Sequence, residues 1–418
     1  MVRAVRKFIW ILRITKHRLM LLAKFVIKRT LLIIYEKTGL KKIYQRITFI
    51  RLLEQAYDYR LIAQPKRPVT IALIFSEGTT YPKSSAFVRL ISPLSKLMRE
   101  DRVSYKLYGH NTTKLPADTD ACIVQRTAYN NMRSAEKLVS NLKERGIKLI
   151  VDNDDAFSHI DNSHSEYSTL NGRHSVLEYL IENADDVWVS TAPLASQIRK
   201  VNPSVHVLAN TLDERLWRQD MYKQSLRGKL RMVYMGTASH DEDFKMLLAA
   251  LDELAKKFPK TFKLSIIGIS LNELPKRRWI TRLYQPRGWA IYPKFVKWFM
   301  DQGPFDIGLC PLVESPFNSY KSDIKCLDYI AANIMPVASD VPAYDTKGLD
   351  DYVIRIKNTQ EQWVDKLGRI LKDIEGFRKK SAKTLPKAQT YLWSERSTDI
   401  AAQTMLDRFK ALKLGPLD

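Results

Sequence analysis

Residues 305–340 read FDIGLCPLVESPFNSYKSDIKCLDYIAANIMPVASD. Phe305–Cys310 is a short apolar run, and a polar, turn-rich stretch carries the chain on to Tyr320. Helical spacing sets in near Ser322, and Met335–Ser339 is a second apolar run. Two buried strands joined by a helix read as a parallel pair, because parallel neighbours need a crossover connection.

The same alternation extends in both directions. Upstream, Leu230–Met235 and Phe262–Ile267 read as strands around a helix at 241–257, followed by a weak strand at 281–285 and a helix at 292–301. Downstream come a strand at Val353–Ile356, a helix at 360–376 and a helical tail from Trp393 to Leu412. A separate series precedes residue 211. Its strands fall at Thr70–Phe75, Ser104–Tyr108, Ala121–Gln125, Ile147–Asp152, Asp186–Ser190 and Val205–Leu208. Helical spacing occupies 85–97, 131–144, 174–183 and 192–200. Turn signals and charges over 211–228 separate the two series.

This pattern predicts an α/β chain with two parallel sheets, each covered on both faces. Their carboxyl ends would border a cleft, which is where open α/β sheets bind ligands. The expected divisions are a basic helical segment at 1–64, a first domain at 65–215, a second at 216–390, and a helix at 391–418 returning to the first.

A chain of 418 residues with 45% hydrophobic content can build two ordinary cores. Three cysteines without a CxxC pair and seven scattered histidines argue against a disulfide framework, a structural zinc or a histidine metal site. They fit a reducing cytosol.

The net charge of +23 is uneven, since residues 1–60 hold 15 Lys/Arg against 3 acids. Charges interrupt every apolar run there before it reaches the ~18 residues of a spanning helix, and a signal-peptide pattern is missing. On a helical wheel Phe8, Leu12, Leu19, Leu22 and Val26 share one side, with Arg6, Arg13, Lys24 and Lys28 opposite. That is the pattern of an amphipathic helix on an anionic membrane surface. Packing on the protein itself and binding to a phosphate backbone are the alternatives. The many Leu, Ile and Phe need burial, so no nucleic-acid partner is expected. The expected location is cytoplasmic and peripheral, on the inner face of the plasma membrane.

The helix near Ser322 is the chemically richest place. A helix N-terminus presents free N–H groups and a positive dipole end, which suit an anion such as a diphosphate. Lys321 and Lys325 add full charges beside it, and Asp328 lies deeper, where a carboxylate suits sugar hydroxyls. Together they point to a nucleoside diphosphate. The same residues also read as an ordinary capped surface helix, with Ser322 as N-cap, Asp323 in the first turn and Lys325 solvated. Asp241 and Asp243 read as first-turn acids rather than as a metal pair. Asp154 and Asp155, with Asp152, read as acceptor-side residues or a capping turn, and His159 and His164 as members of a neighbouring polar loop.

Taken together and in order, these blocks resemble retaining glycosyltransferases of the GT-B architecture, especially the large family four with its bacterial group 1 members. The residues that carry the resemblance are Phe305–Leu312, Phe317-Asn318, Lys321–Lys325, Asp328-Tyr329 and Pro336–Asp340. Tyr234–His240 resembles the opening of the same domain, Ala184–Thr191 with Asn210 the close of the first, and Val151–Asp155 an acidic strand end of bacterial members.

The resemblance implies two facing Rossmann-like domains and transfer of a hexose-like sugar, with retention, from a nucleoside-diphosphate sugar to a glycan or lipid-linked acceptor in surface polysaccharide or glycoconjugate synthesis. It implies no cofactor or metal. Lys325, Lys321 and His240 take the catalytic roles; Gly236, Thr237, Ser322, Asp328, Tyr320 and Asn318 bind the donor; Asp154 and Asp155 face the acceptor. Where the family places two glutamates with seven residues between them, this chain has Tyr320 and Asp328, and the family's frequent basic residue after the glycine turn is absent, Thr237 and Glu242 falling near those places. A catalytically inert GT-B subunit and a nucleotide-sugar epimerase or hydrolase are the alternatives.

Overall fold

The structure is a computed structural model that describes residues 69–75, 82–160, 167, 171–217, 227–236, 241–268, 276–286, 291–345, 348–415 and 417. The basic N-terminal segment, Thr237, His240 and His164 lie outside the described residues.

The first sheet contains β1 (Val69–Ile74), β2 (Val103–Tyr108), β3 (Ala121–Gln125), β4 (Lys148–Asn153), β5 (Asp186–Val189) and β6 (Val205–Val207). Their spatial order is β2-β1-β3-β4-β5-β6, with every pair parallel. Between them lie α1 (Ser92–Arg99), α2 (Met132–Glu144), α3 (His174–Glu182) and α4 (Ala192–Ile198). Alternate strand residues such as Cys122, Val124, Leu149, Val151 and Val187 join one core with the apolar faces of α2, α3 and α4.

The second sheet contains β7 (Leu230–Met235), β8 (Phe262–Ile267), β9 (Ile280–Leu283), β10 (Ile307–Cys310), β11 (Met335–Ser339) and β12 (Ile354–Ile356). The order is β12-β11-β10-β7-β8-β9, again all parallel. This is the doubly wound order whose direction reverses between β7 and β10. Its helices are α5 (Asp241–Lys257), α6 (Tyr292–Gln302), α7 (Ile324–Ala331), α8 (Gln360–Lys372), α9 (Ile374–Glu395) and α10 (Thr398–Ala411). Both sheets belong to one compact unit, residues 64–418.

Three boundaries differ from the sequence reading. The span 85–97 is not a uniform helix: Phe87–Ile91 is a wider π turn in which the Ser92 N–H reaches back to the Phe87 carbonyl. Pro93 follows and supplies no donor of its own. The helix expected at 360–376 ends at Lys372, because Asp373 turns outward and its side chain caps the Gly376 N–H of α9. The tail is likewise two helices. The chain breaks at Arg396-Ser397, where Leu212 forms a bridge to Ser397. Leu212 N–H donates to the Arg396 carbonyl at 2.9 Å, and Thr398 N–H to the Leu212 carbonyl at 3.0 Å. Beyond the break α10 packs on α1. Arg408 pairs with Asp186 at 2.9 Å, and the Phe409 ring lies 5.8 Å from that of Trp188.

Among the described residues no helix is long and apolar enough to cross a membrane.

Candidate functional site

The site grows from the place where the order of the second sheet reverses. The β7–β10 pairing stops at Gly308–Val233, so the two strands part at their carboxyl ends. Tyr329 of α7 fills the gap. A Cβ on Gly308 would lie 2.2 Å from the Tyr329 ring, so only glycine lets the ring lie on β10. The Tyr329 hydroxyl accepts from the Met235 N–H at 2.9 Å and donates to the Val233 carbonyl at 3.4 Å. One buried tyrosine thus fixes α7 against both strands.

Next to it, Gly236 ends β7, with its N–H on the Ile267 carbonyl at 3.1 Å. Gly268 follows β8 at φ +78°, and a Cβ there would come within 2.2 Å of the Gly236 carbonyl. The close approach of these two turns requires glycine at 268.

Within this frame α7 presents Lys325 and Asp328, three residues apart and on one face. Each side chain is half-buried, yet the Lys325 Nζ and the Asp328 Oδ1 are withdrawn from solvent without a hydrogen-bond partner among the described residues. The ammonium lies 5.3 Å from the centre of the Tyr234 ring on β7. Burial pushes the Lys325 pKa down, partly offset by nearby Asp243. Burial pushes the Asp328 carboxyl up to about 8, with the Lys325 charge opposing it. An unpaired cation and a protonated acid at a sheet's carboxyl end are costly to maintain in an empty protein. Leaving such groups unpaired costs about 1–3 kcal/mol each, more when charged.

The helix itself begins at Ile324 rather than at Ser322, and Asp323 is the N-cap residue. The reason is that both preceding side chains have other partners. The Asp323 carboxylate is held by Arg396 at 2.7 and 2.9 Å, and the Ser322 hydroxyl accepts from Asn210 Nδ2 at 2.6 Å. Asn318 holds the loop by donating to the Val313 carbonyl at 2.8 Å. The Tyr320 carbonyl accepts from the Thr191 hydroxyl at 3.0 Å, and its ring lies 4.9 Å from that of His159. Lys321 sits over Phe317 at 4.5 Å and pairs with Asp155 at 3.4 Å.

The structure therefore places Lys325 and Asp328 on α7, which Tyr329 ties to the end of β7 ahead of Gly236. It places Asn318, Tyr320, Lys321 and Ser322 in a loop that meets the strand ends of the first sheet. Asp154 and Asp155 are the other side of that contact. Arg126 pairs with Asp154 at 2.9 Å and also with Asp155, and burial pushes the Asp154 carboxyl up against the opposing Arg126 charge. Arg126 adopts φ +50°, a left-handed conformation uncommon outside glycine, directly after β3. Asp243 does lie in the first turn of α5; it is 2% exposed, and its Oδ1 accepts from the Val313 N–H at 2.8 Å. It shapes the loop after β10.

Sequence reasoning did not single out Arg89, Arg126 or Arg396. Arg89 had a legible signal: it is the one charge in the run Phe87-Val88-Arg89-Leu90-Ile91, and a charge inside an apolar run needs a buried partner. That partner is Asp152, with the Leu208 carbonyl at 2.8 Å and the Asn210 Oδ1 at 2.9 Å completing the guanidinium's contacts. Arg396 bonds the Asn210 carbonyl at 3.1 Å. The two arginines so hold Asn210, and through it Ser322, just ahead of α7.

No family model and no curated protein matches the sequence. Solved structures do match the fold. An alpha-glucosyltransferase in complex with UDP and a 13-mer DNA is similar at a TM-score of 0.58 and 13% identity, over 82% of this chain and 99% of that one. Anabaena HepE in complex with UDP and glucose gives 0.56 and 10%, over 82% and 100%. A glycosyltransferase from Rickettsia africae gives 0.55 and 11%, over 83% and 99%. The two doubly wound sheets, the reversal at β7 and β10 and these matches agree, and the chain has the GT-B fold.

Proposed function

We propose that the protein is a glycosyltransferase that takes its sugar from a nucleoside-diphosphate sugar. The observation that carries this reading is the unpartnered Lys325 and Asp328 pair on α7, beside the glycine turn after β7. A diphosphate supplies the missing partner of Lys325 and meets the N–H groups that open α7. Asp328 meets the ribose hydroxyls. As the bond to the sugar breaks, negative charge grows on the leaving diphosphate, and a fixed cation in a water-poor pocket stabilises that charge. The positive charge comes from the chain, so this reading uses no metal. In support, the structures that share the fold include one with UDP and glucose and one with UDP and DNA bound.

In the finer reading, Lys321, Ser322, Tyr320 and Asn318 hold the loop that presents Lys325, and Asp154 and Asp155 border the acceptor. The transfer is retaining, with a lipid-linked or glycan acceptor of a surface polysaccharide. Gly236 and Thr237 are assigned to donor binding, and His240 to a catalytic role. The basic segment 1–60 keeps the enzyme peripheral on the cytoplasmic face of an anionic membrane, so its deletion is expected to abolish sedimentation with phosphatidylglycerol vesicles. Unchanged sedimentation would refute the membrane role.

Thermal shift with UDP, GDP and their sugar conjugates tests the donor site. One diphosphate is expected to raise the melting temperature, and Asp328→Asn to reduce that rise. The substitution also carries a pH signature. The unfolded pKa of an aspartate is about 3.9, whereas burial holds Asp328 at about 8. The folded protein therefore binds the extra proton between these values. Stability is full below the lower pKa and falls as pH rises toward and through the upper one. Asp328→Asn should flatten that fall when urea melts at pH 6 and pH 9 are compared. A rise that no diphosphate produces would leave the inert-subunit reading in its place.

A further inference from the structure

Helices α3 and α4 leave a gap where they face each other. His174, Leu177, Glu178 and Ile181 recur at the spacing of one helical face. Leu194, Gln197 and Ile198 of α4, with Val201 just beyond it, repeat that spacing. Both rows line one cavity of about 150 Å³. Its remaining wall is residues 156–158 with Asn153, the last residue of β4. Leu177, Ile181, Leu194 and Ile198 also belong to the core of the first sheet, so the cavity is a gap in that core and reaches the carboxyl end of β4. Native cores leave few voids larger than a water molecule. One of this size, lined by leucine, isoleucine and phenylalanine, holds a benzene-sized group.

The wall says what enters. Phe157, Leu177, Ile181, Leu194 and Ile198 make it apolar, and no lysine or arginine lines it, so a phosphate would find no cation there. The one charged pair on the wall, His174 and Glu178, lies 3.8 Å apart. Ser158, Glu178 and Val201 are the exposed members of the wall and mark where it opens. Val201 is 39% exposed, one of four large apolar side chains so exposed among the described residues.

The slot also adjoins the contact between the two sheets. Residues 156–158 directly follow Asp154 and Asp155. The Phe157 ring lies 5.0 Å from the guanidinium of Arg126, which pairs with both aspartates. One residue beyond Ser158, the His159 ring meets Tyr320 of the loop ahead of α7. Open α/β sheets bind ligands at the carboxyl ends of their strands, and a molecule that leaves the slot past Ser158 arrives at this acidic turn.

We propose that the slot binds the hydrocarbon of an amphiphilic acceptor, an alkyl or isoprenoid chain whose hydroxyl-bearing end lies at the acidic turn. This rests on the transferase reading and selects a lipid-borne acceptor over a free glycan.

The test uses the full chain without nucleotide. Octyl glucoside, kept below its micelle threshold, and methyl glucoside are titrated by calorimetry. The octyl compound is expected to bind about tenfold tighter or more, because each buried methylene adds favourable transfer free energy. Val201→Trp fills the mouth from an exposed position and is expected to abolish that preference. Val207→Trp, at an equally exposed valine outside the slot, is expected to keep it. The proposal is overturned if the two glucosides bind alike, if Val201→Trp leaves the preference intact, or if both tryptophan variants lose it equally, which marks unspecific detergent binding. It is also overturned if Val201→Trp converts a dimer to a monomer in analytical ultracentrifugation, which would make a second copy the occupant. Octyl glucoside binding without any response to a nucleoside diphosphate would refute the transferase reading and with it the acceptor role. Loss of the octyl preference with that response intact refutes the slot alone.

Discussion

Arg89→Met is expected to destabilise the protein by about 3–5 kcal/mol, the usual cost of leaving one partner of a buried ion pair uncompensated. Both side chains of the Arg89–Asp152 pair are fully buried, so neither water nor salt can screen the remaining carboxylate. Among the described residues, the Asp152 carboxylate would keep only its bond from Gln125 Nε2 at 3.2 Å. Methionine matches the apolar surroundings in volume, so the loss reports the charge and its hydrogen bonds rather than a cavity. Adding Asp152→Asn removes the stranded charge and should recover part of the loss. Urea denaturation of the three proteins checks this, and a change below about 1 kcal/mol for the single variant would contradict the buried network. The effect should reach further than stability. Arg89 orients Asn210, and Asn210 holds Ser322 ahead of α7, so nucleotide affinity should also fall.

Lys325→Met is expected to act in opposite directions on folding and on binding. Without ligand, the ammonium is buried beside Tyr234 and unpaired among the described residues. Replacing it with an apolar chain of similar length should raise unliganded stability by about 1–3 kcal/mol, the cost of a buried unsatisfied polar group. Nucleoside-diphosphate affinity and any transferase turnover should fall by about 10²–10³-fold, as when one donor to a developing oxyanion is removed. Proteins accept such local instability where activity needs it. Thermal melts with and without UDP or GDP measure both signs in one experiment. If Lys325→Met lowers the unliganded melting temperature and leaves the nucleotide response intact, the lysine is structural.

Much of the fold could be read in the sequence because buried parallel strands write themselves as short apolar runs. Leu230–Met235, Phe262–Ile267, Ala121–Gln125 and Met335–Ser339 lie where their runs do. Strand order had no such signal, since it depends on which apolar runs meet across the sheet. The helix ends were misplaced where long-range contacts decide them. Asp323 and Ser322 look alike as caps, and Arg396, far along the chain, claims the first. The break at Arg396 also depends on a distant partner, Leu212. At the candidate site, the residue types on α7 suggested an anion, but the withdrawal of Lys325 and Asp328 from all partners is a property of packing. The pairing of Lys321 with Asp155 was equally invisible, because those residues lie in loops that follow strands of different sheets.

The return of the chain at Arg396 has a consequence for biosynthesis. Ala401, Met405 and Phe409 of α10 are buried, and α10 lies against α1 and Trp188 of the first sheet. In order of synthesis α10 follows the entire second sheet. During translation the first sheet therefore emerges, and waits, with part of one apolar face uncovered. Domains generally fold in the order they leave the ribosome, but here the earlier one cannot finish until the later one has been made. A ribosome that stalls between β7 and α10 would release a nascent chain with a sticky surface, a natural client for chaperones.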